Sequence, residues 1–219
     1  MVLYFQPRNY NAATRDYLIY MGIDKFENET LLQHALPLDV WFHVDDLSSA
    51  HVYLRLPKGH SMKDIPAETL EDCAQLVKAN SIQGNKVDNL SVVYTPVSNL
   101  RKTASMEVGQ VGFRDYKAVL KTKVLERVNV IVNRLNGTKR DVPHPDLAGE
   151  KEAYEREVRQ AKKAETQAQK KAEKAAKEAA EREKDLRSYK HIMQEDAMVS
   201  SKEVAEKYKS FQDYEDDFM

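Results

Sequence analysis

From Glu150 to Lys190 the chain contains no glycine and no proline, and it is written almost wholly in Ala, Glu, Lys, Arg and Gln. These residues lose least on entering a helix. Glu stands four positions before a base at Glu152–Arg156, Glu155–Arg159, Glu173–Lys177, Glu178–Arg182 and Glu183–Arg187. In that orientation each pair adds roughly 0.2–0.5 kcal/mol. The segment is therefore a long helix, and one this polar has no wide apolar stripe to bury. The protein's core must come from residues 1–140, enough for one domain of ordinary size.

The helix has only a weak seam for self-association. A 4-3 register runs through Tyr154, Val158, Ala161, Glu165, Ala168, Ala172, Ala175, Ala179, Arg182, Leu186 and Tyr189. Five of its nine apolar positions are alanine, and at ~25 cal/mol per Å² a methyl seam stabilises pairing far less than leucine would. A solvated arm that docks on a protein partner is preferred to a stable coiled coil, with a weak homodimer as the other outcome. Residues 141–149 carry Pro143 and Pro145 and are expected to be a linker. Residues 191–219 are acidic, with Tyr208, Phe211, Tyr214 and Phe218, and are expected to stay disordered until bound.

The formal charge of −1 conceals this division. Residues 1–140 are net positive, the long helix is slightly positive, and residues 191–219 carry the compensating acids. The densest cluster lies between 101 and 140. It holds Arg101, Lys102, Arg114, Lys117, Lys121, Lys123, Arg127, Arg134, Lys139 and Arg140 against Glu107, Asp115 and Glu126. That excess of positive charge is the footprint of phosphate contact, although a solvated face has the same composition.

Within residues 1–140, strand and helix patterns intermix without a strict βαβ rhythm. Val2–Phe5, Tyr17–Met21, Leu90–Thr95 and Val119–Val124 have strand composition, and Asp39–Asp45 with Ala50–Leu56 predicts a hairpin. Asn28 is placed to cap a helix carrying Leu31, Leu32, Ala35 and Leu36 before Pro37. Pro66 opens a second helix with Leu70, Cys73, Ala74 and Val77 on one face. The fold class is α+β, a mixed or antiparallel sheet with packed helices.

Enzyme signatures fail in turn. There is no phosphate-binding glycine loop, and Gly109 and Gly112 are too close together and lack a following lysine. His43, Asp45 and His51 could be drawn as a metal cluster, but no further ligand is evident to complete it. Cys73, the single cysteine, falls on an apolar helix face and leaves no internal disulfide to form. No catalysis, metal or cofactor is expected. The short apolar start at Val2–Phe5 does not read as a leader, and no run reaches the ~20 apolar residues of a membrane span, so a cytoplasmic or nuclear location is expected.

Alternation places Trp41, His43 and Asp45 on one face of the first hairpin strand, and His51, Tyr53 and Arg55 on one face of the second. If the aliphatic residues face the core, His51, Tyr53 and Arg55 are displayed, and rings among bases on a sheet stack nucleobases and hold phosphates. Tyr53 and Arg55 are the stronger expectations for exposure, whereas Trp41 suits core and platform equally. The Gly22-Ile23-Asp24-Lys25 turn offers Lys25 to a phosphate, though it also serves simply to join strand to helix.

Several ordered motifs then coincide: Asp39-Val40-Trp41-Phe42-His43-Val44-Asp45, Ser49-Ala50-His51-Val52, Ile65-Pro66-Ala67-Glu68-Thr69-Leu70, the run from Val93 to Ala104, and Gly109-Gln110-Val111-Gly112-Phe113. Together they resemble the NFACT-R domain, which ends large ribosome-associated quality-control proteins and also occurs alone. The resemblance implies an α+β nucleic-acid-binding domain with RNA, tRNA or the ribosome as target. It points to His43, Arg101, Lys102 and Thr103 as positions near ligand. The other modules of the large family members are not matched, so their peptide-tailing activity is not expected. The full set of expected nucleic-acid contacts is Lys25, His43, His51, Tyr53, Arg55, Arg101, Lys102, Thr103, Arg114 and Lys117, with RNA and DNA both open. An adaptor working through the helix and acidic tail is the alternative.

Overall fold

The computed structural model describes residues 1–14, 16–188 and 200–207. In chain order the elements are β1 (Val2–Phe5), β2 (Leu18–Gly22), α1 (Lys25–His34), β3 (Asp39–Val44), β4 (Val52–Arg55), α2 (Ala67–Ala79), β5 (Leu90–Pro96), β6 (Leu100–Arg101), β7 (Gly112–Phe113), β8 (Leu120–Val124), α3 (Asn129–Gly137), β9 (Arg140–Val142), α4 (Leu147–Arg187) and α5 (Ser201–Lys207). Residues 1–156 form one compact unit, and the rest form a second.

The first unit is built on a seven-stranded sheet in the order β8-β5-β3-β4-β2-β1-β9, with β6 and β7 making a separate two-stranded ribbon. Every pairing is antiparallel. The β3–β4 hairpin forms as its alternation predicts, with Trp41 opposite Tyr53 and Phe42 opposite Val52. One side of the sheet carries Phe5, Ile19, Phe42, Leu54 and Val92, packed against Cys73, Leu76 and Val77 of α2 and Ile131 and Leu135 of α3. This is the main core.

The opposite side is covered as well. Val2, Tyr20, Tyr53, Trp41 and Val93 are buried with Leu31 and Ala35 of α1, Leu100 of β6 and Leu147 at the start of α4. Two corrections follow for the hairpin. Tyr53, expected to be displayed, is wholly buried and stacks on Tyr20 with ring centroids 5.0 Å apart. Arg55 points to the same covered side, where its Nε donates to Asp39 Oδ1 at 3.0 Å and its Nη1 to Glu150 Oε2 at 3.0 Å. Alternation assigned the faces correctly, but elements remote in sequence close both.

The cap of α1 is also corrected. Asp24, not Asn28, is the N-cap, its Oδ1 accepting from the backbone N–H of Phe26 and Glu27 at 2.9 and 2.8 Å. Asn28 lies inside the helix, and its Oδ1 accepts from the Gly22 N–H at 3.0 Å. A Cβ at Gly22 would sit 2.5 Å from that oxygen, so the close approach requires glycine.

In the second unit, helix α4 is exposed from Glu157 to Arg187, with Lys177–Glu173 and Arg187–Glu183 pairs at 2.8 and 2.6 Å. The helix begins at Leu147, inside the segment expected to be linker, and β9 takes up residues 140–142 at the sheet edge. Of the expected disordered tail, Ser201–Lys207 is helical; its remainder, apart from Ser200, lies outside the described residues.

Candidate nucleic-acid interface

Register carries the second side of the sheet out to its edge. His43 stands opposite Val93, and Val93 opposite Lys121, so a row of side chains on one face runs from imidazole to ammonium. At the inner end of that row Trp41 stacks on His43, with centroids 5.2 Å apart and planes 4° apart, and His51 meets both rings edge-on. His51 is 4% exposed, which corrects its expected display. Its Nδ1 and the Trp41 Nε1 are buried without a hydrogen-bond partner. Burial, reinforced by the neighbouring His43, pushes His51 down to about 4. Burial lowers His43 too, against the bond between its Nδ1 and the Val44 carbonyl at 2.7 Å.

Lys25, exposed, joins His43 and His51 around a cavity of about 430 Å³ that also meets Ser49, Asn80 and Gly109. Three expected residues from distant segments are thereby brought together. The unit's other ionisable side chains include a buried Cys73 thiol, which burial raises well above its ordinary value and removes from nucleophilic chemistry. Among the described residues, no three His, Cys, Asp or Glu side chains are grouped to hold a metal ion, and no helix is long and apolar enough to cross a membrane.

Lys102 has a different environment from the one expected of a phosphate contact. Its Nζ donates to Glu29 Oε2 at 2.9 Å and to the carbonyls of Glu107 and Gln110 at 2.7 and 3.0 Å. An ammonium has three N–H bonds, and all three are used. Glu29 Oε2 also accepts from the Gly109 N–H at 3.1 Å. Burial opposes charge on Glu29, but the bonds from Lys102 and Gly109 hold its carboxyl below the usual range. Lys102 thus ties the 102–111 loop to α1. Lys102→Ala should cost about 1–3 kcal/mol of stability by stranding Glu29, while leaving the salt dependence of nucleic-acid binding nearly unchanged; urea unfolding beside a salt titration checks both.

The remaining cations divide by partner. Lys121, Arg134 and Lys139 pair with Asp45, Asp72 and Asp141. Arg101, Arg114, Lys117 and Lys123 are exposed and, among the described residues, have no carboxylate partner. Arg101 pairs in register with Gly112 across the β6–β7 ribbon, and Arg114 follows directly after it, its Nε donating to the Leu100 carbonyl at 3.2 Å. Thr103 is half-buried, its hydroxyl 3.0 Å from that of Ser105. One ring was missed by sequence reasoning: Tyr116, 76% exposed, edge-on to Phe113. Its signal was an aromatic between Arg114 and Lys117, the pattern sought in the hairpin instead.

Coiled-coil domain-containing protein 25 of Mus musculus is 54% identical over 203 residues, covering 93% of this chain and 96% of its own. The protein of that name from Danio rerio is 53% identical with the same coverage. The Dictyostelium discoideum homolog is 49% identical over 92% of this chain and 95% of its own. The model of the NFACT protein RNA binding domain matches residues 1–115, a stretch that includes the strands β1 to β7, the Trp41–His43–His51 cluster and the Lys102 clip, and the chain belongs to that family.

Proposed function

We propose that this protein is a non-catalytic RNA-binding protein whose first unit holds the phosphate backbone on exposed bases around the β6–β7 ribbon and the sheet edge. The observation that carries the reading is the division of cations just described: among the described residues Arg101, Arg114, Lys117 and Lys123 have no carboxylate partner, while Lys102, Lys121 and Arg134 on the same stretch are taken up by internal ion pairs. Lys25, on the rim of the histidine cavity, adds a further charge. His43, half-buried, and His51, buried, line that cavity and are not counted among the phosphate contacts. DNA is held by the same phosphate chemistry, but an RNA target suits the family's description.

Binding of a single-stranded RNA to the full chain should weaken steeply with salt. Each phosphate contact contributes about 0.7 to the slope of log K against log salt for single strands. The Arg101→Ala, Lys117→Ala, Lys123→Ala triple variant should therefore lose about 2 from that slope. Binding that is insensitive to salt, or a triple variant with an unchanged slope, would falsify the phosphate surface.

The adaptor reading retains one supporting observation, the exposure of α4 from residue 157 onward. A truncation that separates the two must stop after Arg156, because Leu147 and Glu150 belong to the first unit's packing. RNA affinity that survives removal of residues 157–219 favours the first unit as the binding element.

A further inference from the structure

Tyr116 is an exposed ring on an unusually well-fastened turn. The turn begins at Arg114, whose backbone N–H donates to the Asn99 carbonyl at 2.8 Å. The Asn99 side chain, itself buried, accepts from the Asp115 N–H at 2.8 Å and donates to the Asp115 carbonyl at 2.8 Å. It also donates to Thr95 Oγ1 at 2.9 Å, and Thr95, wholly buried in β5, donates to the Ala118 carbonyl at 3.0 Å. Asp115 closes the turn by accepting from the Lys117 N–H at 2.8 Å. Both sides of Tyr116 are thus bonded to buried groups, Thr95 of β5 and Asn99 of the turn that follows it.

The ring is supported as well as its backbone. Phe113 meets it edge-on, with centroids 5.7 Å apart and planes at 79°, and Phe113 in turn meets Trp41 at 5.9 Å. A chain of rings therefore runs from the buried indole to the surface. A solitary exposed aromatic is unremarkable on a protein surface. Here the aromatic is held in place from beneath and flanked in sequence by two exposed, unneutralised bases, Arg114 and Lys117.

We propose that Tyr116 is a stacking platform for one unpaired base of a single-stranded nucleic acid, with Arg114 and Lys117 holding the phosphates on either side of it. This rests on the phosphate-binding reading above and narrows it, because a base within a duplex has no free face to offer. Stacking on an aromatic side chain tolerates every base, so the platform selects strandedness and not sequence. Tyr116 lies just beyond the residues matched by the family model.

The test uses the full chain, a twelve-nucleotide RNA carrying a single 2-aminopurine at successive positions, and the same RNA annealed to its complement. Quenching of the fluorophore at one or two adjacent positions is expected on binding. Tyr116→Ala should abolish the quench and weaken single-strand binding about tenfold, leave duplex binding and the salt slope unchanged, and not lower the thermal midpoint. Tyr116→Phe should restore both affinity and quench. A Tyr116→Ala protein with the original affinity and quench overturns the platform while leaving the phosphate surface standing. If the unaltered chain binds neither RNA in a salt-dependent way, the phosphate surface and the platform fall together.

Discussion

Asp39→Ala should be the most damaging single change in the first unit, lowering stability by about 3–5 kcal/mol. Asp39 has no exposed surface. Its carboxylate accepts from the Tyr20 hydroxyl at 2.7 Å, the Leu36 N–H at 2.6 Å, and Arg55 through Nε at 3.0 Å and Nη2 at 3.3 Å. Alanine would leave a hydroxyl, a backbone amide and much of a guanidinium without that partner. Glu150 keeps one nitrogen of Arg55 and moderates the loss. Asp39→Asn retains the shape and one acceptor, so it should fall between wild type and alanine. Urea unfolding reads the result: the midpoint should drop with little change in slope, since the surface exposed on unfolding is the same. A loss below about 1 kcal/mol, the range of an exposed pair, would show that the network is not the anchor described.

Acid sensitivity should be the second large effect, and it resides in His51. The unfolded imidazole titrates near 6.5, whereas burial and His43 lower the folded one to about 4. Between these values the unfolded chain takes up a proton that the folded chain refuses. Stability from this group is therefore complete above about pH 6.5 and declines as pH falls toward 4, by about 3 kcal/mol over the window. His43, also lowered, acts in the same direction. Glu29, whose carboxyl is held below the usual range by Lys102 and Gly109, loses those bonds in acid too, so the comparison must be with a variant. His51→Gln should be less stable than wild type at pH 7, where it disturbs the contact with Trp41, and should lose distinctly less stability between pH 6.5 and 4.5. Parallel losses in the two proteins would remove His51 as the cause.

The fold was legible wherever a local period carried it. Alternation marked β3 and β4 and assigned Trp41, His43, Tyr53 and Arg55 to one side; the apolar repeat marked α2; and the lack of glycine and proline marked α4. The candidate site was legible in part. Arg101, Arg114 and Lys117 are exposed cations as charge counting proposed, and Lys25 is exposed beside its turn, yet Lys102 in the basic run is not free. Its partner Glu29 stands 73 positions earlier, and no local pattern announces such a bond. Tyr116 was overlooked for a related reason: an aromatic between bases reads the same whether the ring is buried or displayed, and the bonds that hold it outward come from Asn99 and Thr95.

By itself the sequence determined the long solvated helix, the hairpin with its two faces, and membership of a family through ordered motifs, because helical and strand periods and composition are properties of neighbouring residues. Only the tertiary structure decided what covers each face. Leu31 of α1, Leu100 of β6 and Leu147 of α4 converge with Tyr53 on the side that alternation alone would have left to solvent, where His51 is buried and Arg55 half-buried. Period two states which side chains point together; whether water or protein lies in front of them is set by segments far away in the chain.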